Sequence, residues 1–156
     1  MPATTSEQVY DFLEVRRLAI VGVSRNPKDF SRMLMREFID RRYEAIPVNP
    51  KAPDIDGFPC YRNVGEIDPV VEAALVMTSP KIVSQVVDDC LSAGIKKIWI
   101  YGLMGNPKAN AEIVKKCAEQ GVGVVSDLCP YMFFPQAGLL HRFHGSILKL
   151  MGRYPV

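Results

Sequence analysis

The chain is 156 residues long and 48% hydrophobic, with 19 basic and 17 acidic residues and a formal net charge of +2. That suits one compact domain with a real core, and the charge is too balanced for a nucleic-acid protein of the basic-stripe kind. No apolar run approaches a membrane span, MPATTSEQVYDFL lacks a basic-then-apolar signal, and the cysteines at 60, 90, 117 and 129 form no CxxC pair or metal-ligand spacing, so a reduced, cytoplasmic protein is expected.

In chain order, Thr4-x-x-Glu7 is a capping-box pattern, and Val9, Phe12 and Leu13 place one stripe on a short helix within residues 4–16. Leu18–Val21 is an apolar run too short for a helix and rich in strand formers. Gly22 follows at once, and from Phe30 to Arg41 the residues Leu34, Met35, Phe38 and Ile39 recur at helical spacing. Residues 17–32 therefore read as strand, glycine turn and helix start, where backbone N–H groups and the helix dipole can meet an anion. Glu44–Val48 is a second strand, in which Pro47 implies a free edge or a bend, and it ends in Asn49-Pro50-Lys51. Residues 52–68 read as a connection with a brief extended piece over Phe58–Tyr61. Val70–Thr78 is the third strand. Ser79-Pro80 predicts a helix start, serine as N-cap and proline at the first position, with Val83, Val86, Val87, Cys90 and Leu91 buried and Gly94 closing it. Lys97–Tyr101 is the fourth strand, Asn106-Pro107 opens a helix to Gln120 closed by Gly121, and Val122–Ser126 is the fifth strand. Cys90 and Cys117 fall on apolar helix faces, where free cysteine behaves as a small hydrophobe.

This alternation predicts an α/β fold: a three-layer, Rossmann-like, doubly wound parallel sheet of about five strands joined by right-handed crossovers. Residues 1–130 form the domain. Residues 131–156 are an extra C-terminal helical tail, packed on the domain or on a twin subunit and not a second domain. Leu140, Phe143, Ile147 and Met151 give that tail one apolar stripe, the kind of surface a homodimer buries, in preference to a membrane contact. Sheets of this kind bind ligands outside the carboxyl ends of their strands, where strand order reverses. The first turn, the Asn49 segment, the Thr78-Ser79 turn and the turn after Tyr101 all fall on that edge.

Of the nicotinamide fingerprint G-x-G-x-x-G the chain supplies only Gly22. Where that fingerprint wants a carboxylate for the ribose hydroxyls, the second strand ends in Asn49, followed by Lys51. A lysine there favours a phosphate on the ribose, which narrows the choice to coenzyme A with its 3′-phosphate or a phosphorylated nicotinamide cofactor. Arg25, Lys28 and Arg32 are candidate cations for a pyrophosphate or 3′-phosphate. Ser24 and Ser31 sit where helix capping and anion binding use the same geometry, and Trp99 reads as core.

These residues resemble a known family, the small stand-alone CoA-binding proteins related to the N-terminal domain of the succinyl-CoA synthetase α subunit. The resemblance covers roughly residues 14–130. It rests on AIVGVSRNP at 19–27, Ser31, Tyr43 with IPVNPK at 46–51, and Ile55-x-Gly57-x-Pro59-Cys60-Tyr61. Further on it uses Thr78–Pro80, Lys97 with Trp99, and Val124–Cys129-Pro130. It implies that the turn at Gly22–Ser24 and the helix start at Ser31 hold the CoA phosphates, that Val48–Lys51 meets the adenosine part, and that the third- and fourth-strand turns flank the rest. The expected binding set is Gly22, Val23, Ser24, Arg25, Lys28, Ser31, Arg32, Asn49, Pro50, Lys51, Thr78, Ser79, Tyr101 and Gly102, for coenzyme A or an acyl-CoA. Tyr101 stands where the family usually has glutamine and is bulky enough to narrow the site or stack on the ligand. Arg42 replaces the usual glycine and removes a favoured helix C-cap.

No Ser-His-Asp order, activated-cysteine pattern or paired carboxylates mark a catalyst. The phosphorylated histidine of the synthetase belongs to a second domain that has no match in this sequence. His141 and His144 are read as solvent-facing rather than as a metal pair, and Cys129 as a buried, inert thiol. The expectation is a non-enzymatic CoA carrier, sensor or regulatory subunit. The alternatives are an NADP-dependent oxidoreductase and a partner-binding subunit that has lost its ligand, with Tyr101 filling the cleft.

Overall fold

The computed structural model describes residues 4–101 and 107–134. In chain order its elements are α1 (Ser6–Leu13), β1 (Arg17–Val21), α2 (Phe30–Asp40), β2 (Glu44–Val48), β3 (Asp54–Ile55), β4 (Phe58–Pro59), β5 (Ala73–Val76), α3 (Val83–Ser92), β6 (Lys97–Ile100), α4 (Pro107–Glu119) and β7 (Gly123–Ser126). Five strands form one parallel sheet in the order β2-β1-β5-β6-β7, and β3 and β4 form a small antiparallel hairpin.

Side chains alternate across each strand, and the core divides accordingly. Leu18, Ile20, Ala45, Leu75, Trp99 and Val125 pack under α1 and α2, with Leu34, Met35 and Phe38. Ala19, Val21, Ile46, Val76, Ile98 and Ile100 pack on the opposite face under α3 and α4, with Val83, Val87, Cys90, Ile113 and Cys117. The three-layer, doubly wound reading is the observed architecture. Trp99 is fully buried and donates its Nε1–H to the Leu128 carbonyl at 2.8 Å. Burial pushes the Cys90 thiol up to about 12 and the Cys117 thiol to about 11, and both behave as small hydrophobes.

Pro47 lies on the outer edge strand, as its missing N–H requires. Its carbonyl accepts from the Tyr61 N–H at 3.1 Å and the Tyr61 carbonyl accepts from Asn49 N–H at 2.9 Å, so the chain after β4 covers that edge. Asp56 and Gly57 connect β3 and β4 with φ of 52° and 80°, the left-handed pair that an Asp-Gly hairpin turn uses. The 52–68 segment is therefore more ordered than a plain connection.

Three local expectations are corrected. The capping box at α1 uses Thr5 and Gln8, not Thr4 and Glu7: Thr5 N–H donates to Gln8 Oε1 at 2.9 Å and Gln8 N–H to Thr5 Oγ1 at 3.2 Å. The Thr4 hydroxyl instead accepts the Ser126 N–H at the end of β7. Ser79-Pro80 does not open α3. It makes a turn closed by Ile82 N–H to the Ser79 carbonyl at 3.0 Å, with proline at the second position, and α3 starts at Val83, the first residue there that the core buries. Finally, Arg42 does not abolish the cap of α2. It adopts φ 67° itself, with Arg42 N–H on the Ile39 carbonyl at 2.9 Å and Tyr43 N–H on the Phe38 carbonyl at 3.0 Å. This is a Schellman motif without glycine, and the Phe38 and Tyr43 rings meet edge-on at 5.0 Å to complete it. Gly102, His141, His144 and the tail stripe at 140–151 lie outside the described residues.

Candidate functional site

The chain passes from β1 outward to β2, then crosses back to place β5 on the other side of β1. Strand order reverses between β1 and β5, where open α/β sheets take their ligands. A cleft of about 480 Å³ opens there, lined by Val21 and Gly22, Val48–Lys51, Arg62–Val64, Met77–Ser79, and Ile82, Gln85, Val86 and Asp89 from α3 and its approach. That volume lies within the roughly 300–1,000 Å³ of small-molecule sites.

Gly22 is fixed by its neighbours. A Cβ on it would lie 2.9 Å from Thr78 Cγ2 and 3.0 Å from both Met77 C and Thr78 N, so the glycine lets the β1 and β5 exits touch. Its N–H donates to the Val48 carbonyl at 2.9 Å. Asn49 Nδ2 donates to the Val23 carbonyl at 2.8 Å while its Oδ1 accepts the Lys51 N–H at 2.8 Å. The Asn49 side chain thus ties the two turns together. Lys51 and Arg62 are exposed at the rim, and neither joins a salt bridge among the described residues. Across the cleft Asp89 is already engaged, accepting from Asn63 Nδ2 at 3.0 Å and Gln85 Nε2 at 3.2 Å. Val64 and Val86 give an apolar wall, with Ile82 51% exposed beside them. Thr78 Oγ1 is buried without a hydrogen-bond partner among the described residues. An orphaned buried hydroxyl costs about 1–3 kcal/mol, so Thr78 carries an unmet hydrogen bond at the cleft wall.

The loop from β1 to α2 lies on the other side of Gly22. Asp29 caps α2, accepting the Ser31 N–H at 2.9 Å and the Ser31 hydroxyl at 2.6 Å. Those bonds, the hydroxyl's first, hold its carboxyl below the usual range. The Ser31 Oγ accepts the Ser24 N–H at 2.9 Å, and Ser24 Oγ accepts the Asn26 N–H at 3.1 Å. The helix start is therefore not an open row of amides as its sequence suggests; a carboxylate already occupies the cap. Arg32 is 6% exposed and hydrogen-bonded to Asp56 and to the Ser24 and Arg25 carbonyls, so it is a structural cation. Arg25 and Lys28 are exposed.

Of the expected binding residues, Gly22, Asn49, Pro50, Lys51, Thr78 and Ser79 converge on the cleft. Ser24, Arg25, Lys28, Ser31 and Arg32 belong to the neighbouring loop and helix start, and Val23 is fully buried in the α1–α2 side of the core. Tyr101 does not fill the cleft: it packs on that same side, its ring 5.5 Å from Phe30. Arg62, Asn63, Gln85 and Asp89 join the lining although no motif in the sequence points to them. Burial raises the Cys129 thiol, against the backbone bonds from Tyr131 and Met132, which suits an inert thiol. Among the described residues no cluster of three His, Cys, Asp or Glu could hold a metal, and no helix is long and apolar enough to cross a membrane.

Comparison with known proteins matches residues 16–135 to the model of a family described as CoA binding domain. The chain is 30% identical over 115 residues to the protein YneT of Bacillus subtilis, covering 73% of this chain and 82% of that one. It is 29% identical over 122 residues to ADP-forming acetate–CoA ligase I of Archaeoglobus fulgidus, covering 72% of this chain and 17% of the ligase. A second such ligase, from Methanocaldococcus jannaschii, is covered to 15%, so the chain spans about a sixth of the length of these enzymes. A solved protein from Pyrococcus horikoshii superposes with a TM-score of 0.72 at 28% identity, covering 81% of this chain and 87% of the other. One from Pyrococcus furiosus does so with a TM-score of 0.65 at 30% identity, covering 73% and 95%.

Proposed function

This chain belongs to the CoA binding domain family, and on that premise we propose that it binds coenzyme A or an acyl-CoA noncovalently, as a carrier, sensor or regulatory subunit rather than as a catalyst. The observation that carries the reading is the cleft at the β1/β5 switch point, with two exposed cations, Lys51 and Arg62, at one rim. In this reading Lys51 and Arg62 take the ribose 3′-phosphate, the apolar wall of Val64, Ile82 and Val86 receives the adenine, and the Thr78 hydroxyl meets a polar ligand atom. The pyrophosphate crosses Gly22 toward Arg25 and Lys28.

Isothermal titration with CoA and dephospho-CoA tests this. CoA should bind more tightly, and Lys51→Ala should weaken CoA about tenfold, a charge-assisted contact at an exposed site, while leaving dephospho-CoA unchanged. Equal affinity for the two ligands would remove the assignment of the rim. NADPH in the same cell serves as the control for a nicotinamide ligand, which shares the phosphorylated ribose.

A further inference from the structure

Two arginines of α2 and one aspartate of the β3–β4 hairpin enclose the loop that follows Gly22. Arg32 donates from one terminal nitrogen to the Ser24 carbonyl at 3.2 Å and the Arg25 carbonyl at 3.1 Å, and from its other nitrogens to Asp56. Arg36 donates to Asp56 Oδ2 at 3.1 Å and to the Pro27 carbonyl at 3.2 Å. Three of the loop's carbonyls are thus drawn toward one carboxylate, which stands at a tight turn with φ 52°. A trans peptide sets its N–H opposite its C=O. Holding the Ser24 and Arg25 oxygens on Arg32 therefore aims the N–H groups of Arg25 and Asn26 away from it. The Asn26 N–H is taken by Ser24 Oγ; that of Arg25 has no partner among the described residues.

We infer that the Asp56–Arg32–Arg36 clamp is a positioning device that presents the Arg25 amide and the exposed Arg25 and Lys28 cations to the pyrophosphate of the ligand. Arg32 itself touches no ligand. The inference rests on the CoA reading above and assigns it a part that lies across Gly22 from the cleft. Its sign separates it from simple electrostatics. Asp56 is a negative charge near an anion site, so on Coulomb's law alone removing it would strengthen anion binding. The clamp predicts the reverse.

The test is calorimetric titration of the whole chain, unmodified and as Asp56→Asn, with CoA and with adenosine 3′-monophosphate, which has no pyrophosphate; circular dichroism checks the fold. Asp56→Asn should weaken CoA about tenfold and leave adenosine 3′-monophosphate unchanged. Arg32→Lys should do the same, because a point charge cannot span two carbonyls and a carboxylate as the planar fork does. Should Asp56→Asn not fold, Arg36→Gln replaces it: that side chain is 46% exposed, and its loss should weaken CoA roughly two- to threefold. CoA binding that is unchanged or tighter, or an equal loss for both ligands, overturns the clamp and leaves the CoA reading standing. An unmodified chain that takes up no CoA overturns the CoA reading, and the clamp's role falls with it.

Discussion

Alanine at Gly22 separates two purposes that this residue could serve. If it only makes room for a ligand, Gly22→Ala leaves the free protein intact and weakens binding alone. The geometry predicts otherwise. The new methyl would press on Met77 C and Thr78 N at 3.0 Å, backbone atoms that cannot swing aside. Met77 N–H is tied to the Val21 carbonyl at 2.8 Å and Gly22 N–H to the Val48 carbonyl at 2.9 Å, so the chain can yield only by shifting β5 against β1. A φ of 95° adds strain: about 1–2 kcal/mol for an L residue in left-handed backbone, on top of about 1–3 kcal/mol for overpacking. The expected loss is about 2–5 kcal/mol. With a urea slope near 2 kcal/mol per M, the midpoint should fall by about 1–2.5 M at unchanged slope. A loss below about 0.5 kcal/mol would refute the argument, because it would mean the β1 and β5 exits can part cheaply.

Arg42→Gly should stabilise the fold by about 1 kcal/mol, since glycine accepts the positive φ that arginine bears under strain; a rise of about 2–4 °C in Tm is expected in a thermal melt. Asp29→Ala removes the cap of α2 and should cost about 1 kcal/mol near neutral pH. Because the folded Asp29 pKa is depressed, its stabilisation is present above the unfolded value and is lost as pH falls through the folded one, so the variant should show a shallower decline in stability below about pH 4 in acid titration. At the alkaline end the sign reverses. The Cys90 and Cys117 values of about 12 and 11 lie above the ordinary 9, so burying them as neutral thiols stabilises the fold up to about pH 9 and is withdrawn above it. A thiol reagent at pH 8 should therefore leave both unlabelled until denaturant is added.

Periodicity made most of the architecture legible. The stripe of α2 and the apolar run of β1 are short-range patterns, and they survive folding because each residue's neighbours along the chain decide them. What failed depended on partners far away. Thr4 and Thr5 are equally good caps in isolation, and the choice falls to Ser126, 122 residues on, which claims the Thr4 hydroxyl. Ser79-Pro80 carries a sound helix-start signal, but Pro80 serves a turn equally well and Val83 is where burial begins. Asp56-Gly57 was a readable hairpin signal inside a segment whose proline content suggested only a connection. The Tyr101 side chain could not be placed without knowing which face of the sheet it leaves.

The cations show why composition near a motif is a poor guide to a site. Arg25, Lys28 and Arg32 look alike in sequence, all within ten residues of Gly22. Arg32 is committed to Asp56 and two carbonyls, while Arg25 and Lys28 remain exposed. Lys51 gains a companion in Arg62, which is distant from the turn in sequence and arrives because Tyr61 bridges the β2 edge. Two cationic regions result, one on each side of Gly22. A ligand with a single phosphate cluster would engage one region and leave the other idle. On the reading proposed above, a nucleotide phosphorylated on both the ribose and the 5′ chain engages both, crossing the point where the β1 and β5 exits meet. Gly22 stands at that crossing because packing demands it: any Cβ there would press on Met77 and Thr78.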